Sequence, residues 1–407
     1  MRRGSAAESG EVGHGGVEPR LRVTFVAPFG LGRKGTTRAR VLPLAQALAA
    51  LGHAVRVVVP SWDCPEEWGR RYRLHTVEVI HLPDRLVSPR LALVTLPVRL
   101  LQVVLAGRPD VVHCFKPIGY SGLVALGLRW ARGWGWRGLL AVDTDDLEGW
   151  GGWAERDGRP GWQVALLGSQ ERLGVRAAQL VTVASRYLAQ VVVRWGVRPE
   201  RVCYLPNAAA APVPVAVGES SGVGPRLLLY TRFNEFAAAR VLQLLDEIFA
   251  RLPQAVLVLV GDTEGRDGRA FMAGLRAREW ARRVECHGVL GGEALAEVLA
   301  RSDLALWPFE DTVVNRARCP AKLVELLAVG KAVVAEAVGE VEALVGAAGW
   351  LVAPGDRAAF VEGVVRLATD SALRGKLERA ARRRAEEASW EQRAEALASA
   401  YRTAFYT

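Results

Sequence analysis

The sequence has few cysteines, and they do not gather. Its five, Cys64, Cys114, Cys203, Cys286 and Cys319, form no Cys-x-x-Cys pair and no Cys/His cluster. A structural zinc site and a disulfide framework both need such spacing, so neither is predicted. This cysteine usage is typical of a reducing compartment, and we expect the protein to be cytoplasmic.

Long apolar runs are also missing. The first 20 residues contain no stretch that resembles a secretory signal, and we expect residues 1–20 to form a disordered tail. The most lipid-like stretch, residues 91–107, is short for a membrane span and contains Pro97, Arg99 and Gln102. It fits a helix packed on a sheet, and it also fits an interfacial helix that contacts anionic lipid at the inner membrane face.

Acidic residues are fewer than basic residues. There are 53 Lys and Arg against 43 Asp and Glu, which gives a net charge of +10 and a surface that attracts nucleotide phosphates or anionic lipid. A clustered basic stripe, an aromatic RNA-binding signature and a zinc-finger spacing are all lacking, so no nucleic-acid partner is predicted. A chain of 407 residues, half of them apolar, is long for a single core and favours two domains.

Short β-branched runs alternate with helical segments in two blocks, over residues 21–212 and 226–387. Between them, residues 213–225 have a linker composition, because they belong to a stretch rich in Ala, Pro, Gly and Ser. Such alternation predicts parallel sheets with helices on both faces. The fold class is therefore α/β, with two doubly wound Rossmann-like domains.

A glycine-rich loop follows the first predicted strand. Gly30, Gly32 and Gly35 form the pattern Gly-x-Gly-x-x-Gly, which lets the backbone approach a pyrophosphate at a helix N-terminus. A dinucleotide enzyme also has an acidic residue about twenty positions later to hold the ribose. That neighbourhood, Gly52–Ala54, contains no acidic residue, which makes an NAD-dependent oxidoreductase the weaker alternative; a simple tight turn is the structural alternative.

The second half contains a stronger pattern over residues 315–330. Pro320 suits the start of a helix and Gly330 suits its end, and Lys322 and Glu325 lie three positions apart on one face. Three basic residues flank the helix start: Arg316, Arg318 and Lys322. We expect them to hold a diphosphate beside the positive helix end, and Glu325 to accept hydrogen bonds from ribose hydroxyls. A plain surface Lys–Glu pair is the alternative.

Acidic residues cluster where another predicted strand ends. They are Asp143, Asp145, Asp146 and Glu148. Doubly wound domains place ligands at this edge of the sheet. A divalent cation and simple turn capping are alternatives to a catalytic role. His113 and Lys116 end a neighbouring strand, and a lone histidine there is more often structural than catalytic.

These segments together resemble retaining glycosyltransferases of the GT-B fold, family 4 (group 1). The resemblance rests on residues 315–330, on HGVLGGEALAEVLARSDLALWPF before them, on GKAVVAEAVGEVEALV after them, and on PFGLGRKGTTRARVLPLAQALAALGHAVRVVVP near the start. It covers about residues 22–405. It implies an acceptor-side first domain, a nucleotide-sugar-binding second domain, and C-terminal helices, ending with residues 388–407, that cross back to the first domain.

The resemblance also implies residue roles. Glu325 is the second glutamate of an E-x7-E pair and binds the ribose, but the first position is Ala317, so the branch is divergent and its motif incomplete. Arg232 matches the arginine that binds the donor diphosphate. The lysine usually found five residues later is Ala237, and we expect Lys322 to supply the missing charge.

The implied function is transfer of a hexose, with retention, from a nucleotide-diphosphate sugar (UDP or GDP) in glycan biosynthesis, with no cofactor or metal required. Arg232 and Lys322 are predicted to be catalytic. Asp145 and Asp146 replace a histidine near the reacting sugar and are predicted to orient the acceptor or to act as a general base. The acceptor is a glycan, a lipid-linked molecule or a small molecule. A catalytically silent nucleotide-binding protein is the alternative from another class.

Overall fold

A computed structural model of the chain describes residues 19–32, 35–82, 89–209 and 224–406. The predicted N-terminal tail and linker lie largely outside these residues. The described chain forms two α/β domains, each built on a largely parallel sheet.

The first domain has eight described strands. They are β1 (Arg22–Val26), β2 (Ala54–Val59), β3 (Arg71–Leu74), β4 (Val77–His81), β5 (Val111–Phe115), β6 (Leu139–Thr144), β7 (Leu180–Val183) and β8 (Val202–Tyr204). The helices are α1 (Leu42–Ala50), entered through a π-helical turn at Thr37–Val41, α2 (Pro89–Ala106), α3 (Gly119–Ala131), α4 (Trp153–Arg156), α5 (Gly161–Ala177) and α6 (Arg186–Arg194).

The strand order of this sheet is β3-β4-β2-β1-β5-β6-β7-β8, parallel except for the β3–β4 pair. The chain builds outward from β1 through β2 and β4, then returns to the other side of β1 with β5. The loops after β1 and β5 therefore diverge and leave a crevice at the carboxyl ends of these strands. Open α/β sheets bind ligands at such a switch point.

The second domain has six described strands, β9 (Arg226–Thr231), β10 (Val256–Gly261), β11 (Val284–Cys286), β12 (Leu304–Trp307), β13 (Ala332–Glu336) and β14 (Trp350–Val352). Its helices are α7 (Ala238–Arg251), α8 (Arg266–Leu275), α9 (Gly292–Ala300), α10 (Val313–Ala317), α11 (Ala321–Ala328), α12 (Val341–Val345), α13 (Arg357–Thr369) and α14 (Ser371–Glu386). The order β11-β10-β9-β12-β13-β14 places the switch point between β9 and β12.

The last helix, α15 (Trp390–Tyr406), leaves the second domain and packs on the first. Trp390, Leu397 and Tyr401 are buried in the same apolar cluster as Phe25 of β1. Burying each large apolar side chain contributes about 1.5–3 kcal/mol, so α15 is an integral layer of the first domain. Of the C-terminal helices, α14 stays against α11 and β13, and α15 makes the return.

The apolar stretch at residues 91–107 forms most of α2. Leu96, Leu100 and Val104 are fully buried, so this helix packs on the sheet, as the more common of the two sequence interpretations has it. The guanidinium of Arg56 binds the Val103 and Val104 carbonyl oxygens near the end of the helix. Among the described residues, no helix is long and apolar enough to cross a membrane.

Candidate active site

Two of the loop glycines after β1 pack against the loop after β2. The Gly30 amide donates to Asp63 Oδ1 at 2.6 Å, and a Cβ on Gly30 would collide with the Cys64 sulfur. A Cβ on Gly32 would lie 2.9 Å from the Asp63 carbonyl oxygen. The Asp63 carboxylate, near the place where a dinucleotide enzyme would need its ribose ligand, is thus engaged by the loop backbone. This packing favours the tight-turn interpretation of the motif over the NAD interpretation.

Gly35, in contrast, faces the second domain. A Cβ at this position would lie 3.0 Å from Nη2 of Arg232. The next residue, Thr36, donates its hydroxyl to Asp145 Oδ2 at 3.2 Å. The end of the glycine loop therefore lies between the arginine of one domain and the carboxylates of the other.

Lys116 holds the acidic cluster of the first domain together. Its ammonium lies 2.8 Å from Asp146 Oδ2, 3.3 Å from Asp145 Oδ1 and 2.5 Å from Glu148 Oε1. The side chain is 9% exposed, and its backbone adopts a left-handed φ of 52° directly after β5. Because the Lys116 ammonium compensates the negative charge of these carboxylates, the cluster does not need a divalent cation for that purpose. In the described part of the chain, no group of His, Cys, Asp and Glu is arranged to hold a metal ion.

The two predicted catalytic aspartates differ in electrostatics. Burial raises the pKa of Asp145 to about 6, although the Lys116 charge opposes this shift. Burial acts in the same direction on Asp146, but the charges of Lys116 and Arg318 outweigh it and hold its pKa below the ordinary value. Asp145 is therefore the carboxylate that can gain and lose a proton near neutral pH.

Asp143 and His113 belong to the interior. The Arg40 guanidinium binds Asp143 through two bonds of 2.8 and 2.6 Å, and both side chains are buried. Thr182 donates its hydroxyl to the same carboxylate, so its oxygen accepts from His113 Nε2, and His113 Nδ1 accepts from the Tyr401 hydroxyl. Burial lowers the His113 pKa to about 4. We call these five side chains the buried relay; it ties α15 to the sheet.

In the second domain, the loop after β9 is fixed by one buried glutamate. Glu235 accepts from the Thr231 hydroxyl at 2.7 Å and from the Arg232 amide at 3.1 and 3.2 Å. Phe233 adopts a φ of 64°, which turns the chain sharply at this point. The Arg232 side chain itself is exposed at the switch point of the sheet.

Helix α11 places Lys322 and Glu325 beside Tyr230, the penultimate residue of β9. The Lys322 ammonium donates to the Thr231 carbonyl oxygen at 2.8 Å and lies 4.0 Å from the centre of the Tyr230 ring. The Tyr230 hydroxyl donates to Glu325 Oε2 at 2.9 Å. Burial lowers the Lys322 pKa to about 8 against the pull of Glu235, with Arg232 adding repulsion, and burial raises the Glu325 pKa. Sequence reasoning did not find Tyr230.

The two arginines before α11 have different surroundings. The sequence predicts Arg316 as a donor ligand, but its guanidinium is exposed and paired with Asp311 at 2.5 and 2.6 Å. Arg318 is only 8% exposed and lies 4.9 Å from the Trp153 ring of the first domain. Its Nη1 makes long bonds to Asn234 and Asn315, of 3.4 and 3.3 Å. Of the two, Arg318 is the one buried between the domains.

Ala317, where the family has its first glutamate, is a domain contact. Its side chain is fully buried among core residues of the first domain, and its carbonyl oxygen accepts from the Ser185 hydroxyl at 2.5 Å. A glutamate would have to place a charge in this apolar contact, so the missing carboxylate is part of how the two domains fit together.

A cavity of about 520 Å³ separates the domains at these loops. Gly151, Gly152 and Glu155 line it from the first domain, and residues 233–238, 310 and 312–315 line it from the second. Arg156 crosses the cleft, donating to the Asn234 carbonyl oxygen at 3.0 Å and to Asp267 at 3.2 Å. The two domains therefore leave between them a space large enough for a small-molecule ligand.

Comparison with known families identifies both halves of the chain. The profile of the Glycosyl transferase 4-like domain matches residues 35–208, and that of the Glycosyl transferases group 1 family matches residues 224–370. The chain belongs to the glycosyltransferases of the GT-B fold. Enzymes of this class take their sugar from a nucleotide-sugar donor.

Solved structures agree with this fold at low sequence identity. The glycosyltransferase is similar to a sucrose-phosphate synthase from Thermosynechococcus elongatus (TM-score 0.74, 21% identity, 95% of this chain and 99% of that one). It is also similar to the catalytic domain of starch synthase IV from Arabidopsis thaliana bound to ADP and acarbose (0.70, 14%, 96% and 100%) and to Anabaena HepE in complex with UDP and glucose (0.68, 16%, 93% and 99%). No curated protein matches the chain in sequence.

Proposed function

We propose that this glycosyltransferase moves a hexose from a nucleoside diphosphate sugar to an acceptor, with retention at the anomeric carbon. One observation carries the proposal. Three cationic side chains, Arg232, Arg318 and Lys322, gather at the switch point of the second sheet and interact with one another electrostatically. They face the Lys116–carboxylate cluster of the first domain across the cleft, since Asp146 and Arg318 are close enough to shift each other's pKa.

The cations suit a diphosphate leaving group. As the bond between the anomeric carbon and the diphosphate oxygen breaks, negative charge grows on the phosphates, and cations fixed beforehand stabilise it. Arg232 is held at its backbone by Glu235, and Lys322 is held by the Thr231 carbonyl oxygen. We assign the diphosphate to Arg232, Lys322 and Arg318, with Arg318 in place of the predicted Arg316.

Glu325 is the proposed ribose ligand. Its carboxylate receives the Tyr230 hydroxyl in the protein without donor, so a ribose would add its own hydroxyl donors to this carboxylate or displace the tyrosine. Similar proteins bind ADP and UDP, which supports a nucleoside diphosphate but leaves UDP and GDP donors both open.

The acceptor is proposed to lie against Asp145 and Asp146. At pH 7 both are largely ionised, and an ionised carboxylate can only accept hydrogen bonds. They therefore orient the acceptor by accepting from its other hydroxyls, which leaves the proton of the attacking hydroxyl free for the departing diphosphate. The new bond forms between that hydroxyl oxygen and the anomeric carbon while the diphosphate departs on the same face and takes the proton. A glycan, a lipid-linked molecule and a small molecule all satisfy this chemistry.

Ala317 favours a second candidate function, a nucleotide-sugar-binding protein that no longer turns over. The family's first glutamate contacts the donor sugar, and its position here is sealed into the domain contact. Such a protein would bind a nucleoside diphosphate as well as the enzyme does. Only turnover separates the two.

Thermal-shift measurements with UDP, GDP, ADP, dTDP and NAD would identify the base, and the matching sugar nucleotides would then be tested for release of the diphosphate. Replacing Arg232, Arg318 or Lys322 by Met should lower kcat by about 10²–10³, as loss of one fixed charge donor does elsewhere. The matched control is Arg316→Met, which should stay within about threefold. Stabilisation by NAD alone, or equal loss in the Arg316 variant, would overturn the assignment, and binding without turnover would establish the silent protein.

A further inference from the structure

The Arg318 guanidinium is buried, yet its hydrogen bonds are weak. Arg318 is 8% exposed, and among the described residues its bonds, to side-chain oxygens of Asn234 and Asn315, are 3.4 and 3.3 Å long. Two aromatic rings lie close to it: the guanidinium carbon is 4.9 Å from the centre of the Trp153 ring and 5.8 Å from that of Phe309. Rings at this distance attract a desolvated cation through their negative faces. Aromatic contacts therefore do much to fix where this guanidinium lies.

The two rings come from different domains. Phe309 follows β12 in the second domain, where it is buried and stacks on Trp307 at a ring distance of 5.4 Å, so it forms a fixed wall. Trp153 begins α4 in the first domain and is partly buried. Through Trp153 the first domain thus contacts a cation of the second domain that we assign to the diphosphate.

Glycines fix the loop that carries Trp153. A Cβ on Gly149 would collide with Gly168 of α5, and a Cβ on Gly152 would collide with the Leu147 carbonyl oxygen. The same carbonyl oxygen accepts from the Trp153 amide at 2.9 Å. Because the backbone packs this closely on itself and on α5, the start of α4 has little freedom, and the indole is held between the domains.

One turn further along α4, Arg156 completes the contact. Its guanidinium carbon lies 5.3 Å from the centre of the same Trp153 ring, and it donates to the Asn234 carbonyl oxygen at 3.0 Å. The side-chain oxygen of Asn234 in turn accepts from Arg318. A closed circuit of contacts therefore joins α4 to the loop after β9, and it reaches that loop two positions after Arg232.

We propose that Trp153 is a positioning residue of the donor site, whose ring holds the Arg318 guanidinium where the diphosphate of the donor binds. The assignment rests on the proposed role of Arg318 and adds to it a requirement for a side chain of the first domain. The Trp153 indole also interacts with Asp146, in the loop that precedes α4. One residue is thus in contact with both the proposed acceptor ligand and the proposed diphosphate ligand.

Calorimetric titration of the full chain with UDP, GDP, ADP and dTDP tests the assignment, and the nucleotide that binds most tightly is then used for the variants. Trp153→Leu removes the aromatic face and should weaken binding about tenfold. Trp153→Phe keeps a face for the guanidinium and should stay within about threefold of the wild type. The thermal midpoint of each variant shows whether the fold is intact.

A double-mutant cycle separates positioning from a general structural role. In an Arg318→Met background the ring has no guanidinium to hold, so Trp153→Leu should weaken binding by less than about twofold further. The matched control is Trp150→Leu, since Trp150 is in the same loop and its ring centre lies 5.7 Å from the guanidinium carbon of Arg172, within the first domain. This variant should stay within about twofold of the wild type.

Wild-type binding by Trp153→Leu would overturn the assignment. So would a tenfold loss that Trp153→Phe does not restore, or one that persists in the Arg318→Met background. An equal loss in Trp150→Leu would show a disturbed loop and would overturn it as well. Failure of the wild type to bind any of the four nucleotides is a different result, because it contradicts the proposed function itself and this assignment with it.

Discussion

Raising the pH from about 7 to about 9 should lower the donor kcat/KM of this glycosyltransferase roughly tenfold, through a single lysine. Burial lowers the Lys322 pKa to about 8. A group with that pKa is about 90% charged at pH 7 and about 10% charged at pH 9. Since kcat/KM reports the free enzyme, it should follow this loss of charge. In the complex the diphosphate holds the proton on Lys322, so kcat at saturating donor should stay level to a higher pH.

The assay is release of nucleoside diphosphate at low and at saturating donor, measured across this pH range for three proteins. The Lys322→Arg variant keeps its charge throughout, so its alkaline loss should disappear whatever its absolute activity. The matched control is Lys331→Met. Lys331 also has a pKa lowered to about 8 by burial, but it precedes β13 at the end of the sheet opposite the cleft, so this variant should retain the wild-type pH profile.

The expected loss of kcat/KM at high pH does not come from unfolding through Lys322. The folded-state pKa of Lys322 lies below the ordinary value of 10.5, so its contribution to the free energy of unfolding grows as the pH rises from about 8. Activity should therefore fall while this contribution to stability rises. An alkaline loss centred near pH 8 that persists in Lys322→Arg would refute the assignment.

Three further outcomes are expected. Gly35→Val, whose Cβ would lie 3.0 Å from the Arg232 guanidinium, should weaken nucleoside diphosphate binding roughly tenfold by calorimetry without shifting the unfolding midpoint, whereas Gly133→Val, with open space around its Cβ, should change neither. Thr182→Val should lower the free energy of unfolding in urea by about 1–3 kcal/mol because it breaks the buried relay, while Thr369→Val at an exposed hydroxyl should stay within about 0.5 kcal/mol; equal losses would contradict the relay. Because the folded pKa of His113 is depressed to about 4, its contribution to stability should be complete above pH 6.5 and decline below it, by about 2 kcal/mol at pH 5; a His113→Gln variant that loses as much between those pH values would exclude this residue as the source.

Much of the fold was predictable because buried parallel strands are continuous apolar runs. The run from Arg226 to Thr231 has this apolar pattern and forms β9, and the amphipathic segment that follows it forms α7 (Ala238–Arg251). The alternation of strands and helices predicted two doubly wound domains, and the family resemblance of the motif segments implied the GT-B arrangement, which the family profiles and similar structures confirm. Hydrophobic periodicity does not indicate which of the two domains each of the last helices packs against.

The site was less predictable, because a side chain's direction depends on where short elements end. Helix α10 ends at Ala317, and Arg318 continues in extended backbone, with ψ near 153°. That one change of conformation sends Arg318 inward and leaves Arg316 outside with Asp311, although the two are only two positions apart. Their sequence context is alike, so residue type could not distinguish them.

Contacts between residues far apart in the sequence are the second part of the site that the sequence did not predict. Tyr230 and Lys116 meet the predicted site residues through tertiary contacts, with 95 positions between Tyr230 and Glu325 and 30 between Lys116 and Asp146. A basic residue after one strand and acidic residues after its neighbour were a usable signal for Lys116. A tyrosine inside an apolar strand carried none for Tyr230. The roles assigned to Arg232, Lys322, Glu325, Asp145 and Asp146 stay predictions until the variants are measured.

The return of α15 to the first domain has a consequence for biosynthesis. Trp390 and Tyr401 belong to the same buried cluster as β1, yet the ribosome makes them only after the whole second domain. After β8 ends at Tyr204, about 185 residues are made before α15 begins at Trp390. During that time the first sheet has part of its apolar surface uncovered, and His113 lacks its tyrosine partner. A nascent chain stalled before α15 should be bound by chaperones through its first domain, and release of the last helix should end that association.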